Sequence, residues 1–126
     1  MTGPRRVLIV EDNEEWREQI LREPLEEEGH LITTARSYQE AIAALEAHPF
    51  DLAVVDINLT DVRGNRDGEK VLQYIAQSGR TIPTIVVSGS RQVTPDSVQR
   101  FRPFAFLDKS RFDLLEYITI LHRALY

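Results

Sequence analysis

Five residues with reactive side chains sit where short apolar runs end. Residues 7–10 (Val-Leu-Ile-Val) run into the acid pair Glu11-Asp12, and residues 52–55 run into Asp56. Residues 84–87 end at Ser88, and residues 104–108 end at Lys109. If the four runs are neighbouring parallel strands, all the polar ends fall on one edge of the sheet, the carboxyl edge where open α/β sheets bind ligands. Three carboxylates, a hydroxyl and an ammonium gathered there are the components of a phosphoryl-transfer site. Asp56 is the expected nucleophile, because a carboxylate can accept a phosphoryl group as an acyl phosphate. The barrier in such a transfer is governed by charge on the phosphoryl oxygens, so the surrounding groups serve mainly to neutralise it. Mg²⁺ takes one or two carboxylates, waters and phosphate oxygens. The expected ligands are Asp12 and Asp56 directly, Glu11 through water, and the main-chain carbonyl of Asn58. Ser88 is expected to donate to a phosphoryl oxygen and Lys109 to place a compact positive charge opposite. The lysine stands out in a chain with thirteen arginines and only two lysines.

Each residue has a plainer explanation when taken alone. Asp12 is an acid of the kind favoured near a helix N-terminus. Asp56 and Ser88 are ordinary turn residues, and Lys109 is ordinary surface charge. Their joint placement at strand ends is what favours the chemical reading.

The elements that must position them follow from periodicity. Strands are expected over residues 6–11, 31–35, 51–56, 81–88 and 104–108, alternating with helical patterns, which is the βαβ signature. Asn13 is expected to cap a first helix carrying Trp16, Ile20, Leu21 and Leu25 and ending near Gly29, with Pro24 kinking or shortening it. Ser37 with Glu40 forms a capping box for the second helix. A turn-rich loop over residues 59–66 precedes a third helix opened by Asp67-Gly68 and closed by Gly79. Thr94-Pro95-Asp96 starts a fourth helix that Pro103 limits to two turns. Ser110 is expected to cap the last, with Asp113 at its third position. That helix carries Leu114, Ile118, Leu121 and Leu125 on one stripe and Tyr117, Ile120 and Ala124 on another. This apolar width fits a dimer or partner surface as well as core packing.

Composition bounds the rest. A chain of 126 residues, 42% hydrophobic and 28% charged, reads as one globular domain over 1–126. Cysteine is absent, which removes thiol chemistry and disulfides and fits a reducing compartment. No run reaches membrane-spanning length and no secretory pattern opens the chain, so a cytoplasmic location is expected. Residues 1–60 hold 13 acids and 5 bases, whereas residues 61–126 hold 7 acids and 10 bases. The acidic first half argues against direct nucleic-acid binding; the basic second half suits an acidic protein partner. His30, His48 and His122 have no ligand spacing and are expected at the surface or its boundary.

From Glu11-Asp12 through Asp56 and Ser88 to Lys109 and the last helix, the chain resembles the receiver domain of two-component response regulators. The resemblance implies a flavodoxin-like, doubly wound sheet of five parallel strands in the order 2-1-3-4-5 with five flanking helices. It implies that a histidine kinase or phosphotransfer protein donates a phosphoryl group to Asp56 with Mg²⁺. A two-state change then alters what the fourth helix, fifth strand and last helix bind. It implies a signalling domain rather than an enzyme, with only self-catalysed phosphotransfer and dephosphorylation, and Ser88 and Phe106 as switch residues. Where the chain ends, a stand-alone receiver is expected.

There are three departures from the family's pattern. Thr60 stands where a proline is usual, and Asp67-Gly68 comes about four residues late, with Arg63 and Arg66 in the lengthened loop. The plain reading is a tolerated surface insertion; the sharper one has an arginine reach the phosphoryl group or a partner's acids. Phe106 replaces a frequent tyrosine, so a switch there works through packing alone. Ser110 replaces the proline after the lysine, which removes the usual reason for a cis bond.

A phosphorylation-independent interaction module of the same fold is the alternative. It would be expected to lack one of the acids or the lysine. An unrelated Mg²⁺-dependent phosphatase or nuclease is less well matched, because Asn58 stands where a second aspartate would be wanted. A flavin-binding flavodoxin is disfavoured by the acids at 12, 14 and 15, which would repel phosphate.

Overall fold

A computed structural model of the chain describes residues 3–60 and 62–126; Met1, Thr2 and, within the loop over 59–66, Asp61 lie outside the described residues. Five strands, β1 (Arg6–Val10), β2 (Leu31–Ala35), β3 (Leu52–Asp56), β4 (Thr84–Ser88) and β5 (Ala105–Asp108), pair in parallel in the order β2-β1-β3-β4-β5. The expected doubly wound flavodoxin-like sheet is what forms. The helices are α1, with a π-helical stretch Glu15–Arg22 continuing as Glu23–Glu27, α2 (Tyr38–Ala47), α3 (Asp67–Gln77), a one-turn α4 (Pro95–Val98) and α5 (Leu114–Leu125).

Every residue of β3 and β4 is buried, as both faces of a central parallel strand must be. Side chains alternate between two cores. Leu8, Val10, Ala53, Val55 and Val86 pack on one face with α2 and α3 residues Leu45, Val71, Leu72 and Ile75. Val7, Ile9, Leu52, Val54, Ile85, Val87 and Leu107 pack on the other with α1 and α5 residues Leu21, Leu25, Tyr117 and Leu121. This period of two fixes the register and aims each strand's last residue off the same edge.

Local signals mostly act as their chemistry predicts. The Asn13 side-chain carbonyl accepts from Trp16 N at 3.0 Å, and the Ser37 hydroxyl accepts from Glu40 N at 3.2 Å. The Glu40 carboxylate reaches Arg36 N, one residue before the cap. Thr94 and Ser97 form a reciprocal capping box with Pro95 in the first turn. Thr84 rather than residue 81 begins β4, since Pro83 just before it has no N–H to give a ladder.

The first helix runs through Pro24 and stops at Glu27, close to the expected end near Gly29; the widened π-helical turns before the proline relieve the contact between its ring and the carbonyl four residues back. Three expectations are corrected. Ser110 does not cap α5. It lies in a 3₁₀ turn, Lys109–Arg111, where its N–H and hydroxyl donate to Asp108, and Asp113 is the cap, accepting from Glu116 N at 3.1 Å. His30 is buried, with Nδ1 accepting from Arg5 N at 3.0 Å and Nε2 3.0 Å from the Tyr126 hydroxyl. Leu114 does not share the inner stripe of α5, which is Tyr117, Leu121 and Leu125; Leu114 and Leu115 face outward. No peptide bond among the described residues is cis.

Candidate phosphoacceptor site

β1 and β3 are adjacent, with Val10 opposite Val55, so the residues following them meet across one strand spacing. Glu11, Asp12 and Asp56 each present a carboxylate oxygen within 4.8 Å of the other two. Lys109, arriving from the end of β5, places Nζ 2.6 Å from Glu11 Oε1 and 3.3 Å from Asp56 Oδ2. The other oxygen of Asp56 accepts from Asn58 N at 3.2 Å. All four expected charged residues therefore meet in one cluster: Asp12, Asp56 and Lys109 line a cleft together with Asn58, and Glu11 is buried beneath them. The trans link to Ser110 still delivers the ammonium to the acids.

Three acids and one ammonium leave the pocket short of positive charge. Burial pushes the Glu11 carboxyl up to about 7, helped by its hydrogen bond to Asp56 and that residue's charge, with Lys109 acting against the shift. Burial also raises Asp56 and, with Glu11 next to it, Asp12. Glu11 and Asp56 are thus neighbouring buried carboxyls, both held above the ordinary carboxylate range. A buried carboxylate oxygen of Glu11 accepts no hydrogen bond; its close neighbour is the lysine charge. An all-oxygen cluster with surplus negative charge suits a hard divalent cation of the Mg²⁺ type. The residues present fit such an ion.

Ser88 is buried, its hydroxyl donating to Asn58 Oδ1 at 3.2 Å and accepting from Ser90 N at 3.1 Å. Phe106, beside Val86 in the sheet, is partly buried against the α2–α3 core. An open cleft of about 620 Å³ above the acids is lined by Asp12, Trp16, Asp56, Asn58, Ser90 and Lys109, among others.

The lengthened loop is tied to this pocket through Asn65. Its side-chain oxygen accepts from Leu59 N at 3.0 Å and Asp67 N at 3.1 Å, and its main-chain carbonyl accepts from Asn58 Nδ2 at 2.7 Å. Gly68 then packs the start of α3 against the end of β3, where any Cβ would collide with the main chain of Asp56 and Ile57. Arg66 does not approach Asp56. It pairs with Glu69, which Arg100 also meets at 3.1 Å, around a separate cavity on the outer side of α3. Arg63 is exposed.

Sequence reasoning missed Arg17 and Asn65. The Arg17 guanidinium, almost fully buried, donates to the main-chain carbonyls of Glu11 at 3.2 Å and Asp12 at 3.3 Å. It holds the turn that carries both acids. Its position six residues after Glu11 was the available signal, but an arginine on a helix is ordinarily solvated.

Comparison with known proteins agrees with the geometry. Residues 7–111 match the family of the response regulator receiver domain. The transcriptional regulatory protein PdtaR of Mycobacterium tuberculosis is 38% identical over 100 residues, covering 79% of this chain and 45% of that protein. The virulence transcriptional regulatory protein PhoP of Salmonella typhimurium is 33% identical over 94 residues, covering 75% of this chain and 39% of that protein. The chain therefore spans less than half the length of these curated relatives. Among solved structures, the response regulator protein TrrA from Thermotoga maritima, in complex with Mg²⁺ and BeF, superposes with a TM-score of 0.77 at 26% identity. That match covers 96% of this chain and 99% of TrrA. Among the described residues no helix is long and apolar enough to cross a membrane.

Proposed function

Since the chain belongs to the response regulator receiver domain family, we propose that it accepts a phosphoryl group on Asp56 from a histidine kinase or a histidine phosphotransfer protein. The observation that carries this is the meeting of Glu11, Asp12 and Asp56 with the Lys109 ammonium in one pocket. An oxygen of Asp56 attacks phosphorus in line. As the new O–P bond forms, the N–P bond to the donor imidazole breaks, and that nitrogen keeps the electron pair and takes a proton. Lys109 sits where its charge offsets the phosphoryl oxygens, and Asn58 N keeps Asp56 oriented. Ser88 exchanges its bond to Asn58 for one to a phosphoryl oxygen, and Phe106 follows by repacking.

Glu11, Asp12, Asp56 and the main-chain carbonyl of Asn58 would hold Mg²⁺. When bound, the ion supplies the positive charge that lets a phosphoryl group approach three carboxylates. The Mg²⁺ complex of the similar TrrA supports that assignment. Arg17 keeps the two acids of the first turn in place for it.

The output surface we assign to α4, β5 and α5, where Phe104, just before β5, is an exposed large apolar residue. It would bind a second copy or another protein. A hydrodynamic radius that stays monomeric with and without BeF₃⁻ would count against the second copy.

Incubation with acetyl phosphate and Mg²⁺, followed by intact mass measurement, tests the central step. One phosphoryl adduct, stable in acid and labile in base, is expected on the wild-type chain and absent from Asp56→Asn. An equal adduct on both would move the site elsewhere.

A further inference from the structure

We infer that Trp16 is a positioning residue for Lys109, holding the ammonium over its indole face so that it stays in the pocket when the acids' charge is neutralised. The inference rests on the reading of Asp56 as phosphoacceptor and adds a residue to that site. Lys109 Nζ lies 4.9 Å from the centroid of the Trp16 ring, in addition to its contacts with Glu11 and Asp56. A cation over an aromatic face is attracted by the ring quadrupole, most strongly by tryptophan, and more so when partly desolvated. The Lys109 side chain is only 16% exposed.

The ring itself is fixed from behind. Trp16 meets Phe112 edge to face, with centroids 5.2 Å apart and planes at 89°. Phe112 in turn lies 5.4 Å from Tyr117, which is fully buried and donates its hydroxyl to Leu21 O at 2.7 Å. The main-chain N–H of Trp16 is held by the Asn13 cap. Three elements, α1, the turn after β5 and α5, thus converge to set one indole against one ammonium.

The need for such a contact follows from Ser110. Here a serine follows the lysine and Lys109 opens a short 3₁₀ turn, so no proline ring restrains the backbone beside it. The two acids hold the ammonium only while they carry charge. A cation held by Glu11, Asp12 and Asp56 would draw on the same carboxylates, whereas the indole contact, made by none of them, would still keep Nζ facing the cleft.

The chain holds one tryptophan, which makes the contact directly readable. In the protein without added ions, the side-chain protons of Lys109 should be shifted upfield by the ring in ¹H–¹³C spectra. That shift should vanish in Trp16→Met, which fills much of the space without a ring, and persist in Trp16→Phe. With phosphoramidate and Mg²⁺, Asp56 in Trp16→Met should be phosphorylated about three- to tenfold more slowly than wild type, and in Trp16→Phe within about twofold. Trp16→Leu serves in place of Trp16→Met should the latter not fold. Lysine protons unmoved between wild type and Trp16→Met, or a wild-type rate in Trp16→Met, would overturn the inference. A wild-type chain that takes no phosphoryl group overturns the reading of Asp56 instead, a separate outcome that the lysine shifts do not affect.

Discussion

The two ends of the sheet treat their polar groups in opposite ways. At the amino end, His30 lies between Arg5 N and the Tyr126 hydroxyl, Asp51 accepts from Arg6 N at 2.9 Å, and His122 meets Glu28 at 2.8 Å. These groups pair within the chain, although the buried Nε of Arg5 beside them makes no hydrogen bond and its guanidinium lies instead over the Tyr126 ring, 5.6 Å from guanidinium carbon to centroid. At the carboxyl end, Glu11, Asp12 and Asp56 crowd around one lysine, and burial raises all three acids. A buried charge without adequate pairing costs stability, so the fold crowds like charges on one edge and pairs most of its polar groups on the other. Where polar groups settle among themselves they act as structure; where they are left over they await a ligand.

The contrast can be broken most severely at the acids. Replacing both Glu11 and Asp12, as Glu11→Gln with Asp12→Asn, should weaken Mg²⁺ binding by calorimetry at least about a hundredfold, since an oxygen-liganded cation depends on the charge of its carboxylates. Unchanged affinity would place the ion elsewhere.

A smaller effect sharpens the comparison through pH. The Glu11 carboxyl titrates near 7 in the folded protein against an ordinary 4.5. Between those values the folded state binds more protons than the unfolded, so stability without Mg²⁺ should fall as pH rises from about 4.5 to 7 and level off above. The fall should be on the order of 1–3 kcal/mol in urea unfolding, and saturating Mg²⁺ should reduce it. A stability that rises over this window without the ion would contradict the surplus-charge picture.

At the amino end, Tyr126→Phe removes one hydrogen bond to His30 and should cost about 0.5–1.5 kcal/mol while leaving Mg²⁺ affinity unaltered. Smallest of all, Arg66→Ala breaks an ion pair with Glu69 away from the pocket. It should change stability by less than about 1 kcal/mol and leave the rate of Asp56 phosphorylation at the wild-type value. A slowed rate there would restore the idea that the lengthened loop reaches the phosphoryl group.

Much of the fold was legible because its signals are local or periodic. The uninterrupted apolar runs of β3 and β4 required burial on both faces, and Asn13, Ser37 and Thr94 each had a side-chain oxygen positioned to take the first free N–H of a helix. Signals failed where two neighbours competed for one role. Both Ser110 and Asp113 are good caps, and only the 3₁₀ turn after β5, with Asp108 taking the Ser110 donors, assigned the role to Asp113. Pro24 signalled a kink or a shortened helix, but nothing in the residue order announces the widened turn that carries the helix through it. Arg17 read as one more charged helix residue, because its partners are main-chain carbonyls that become acceptors only once the turn exists.

The order of residues alone determined which groups would stand at strand ends, since alternation and strand length are local properties of the chain. Tertiary structure decided how those groups would behave. Glu11 is raised because folding removes water from it and brings Asp56, 45 positions away, against it. Lys109 faces both acids and the Trp16 ring because β5 ends on the same edge of the sheet and the lysine side chain reaches past Gly89, just after β4, to meet them. Proximity between distant segments and the loss of solvent are products of packing, and they turn a row of ordinary side chains into a charged pocket.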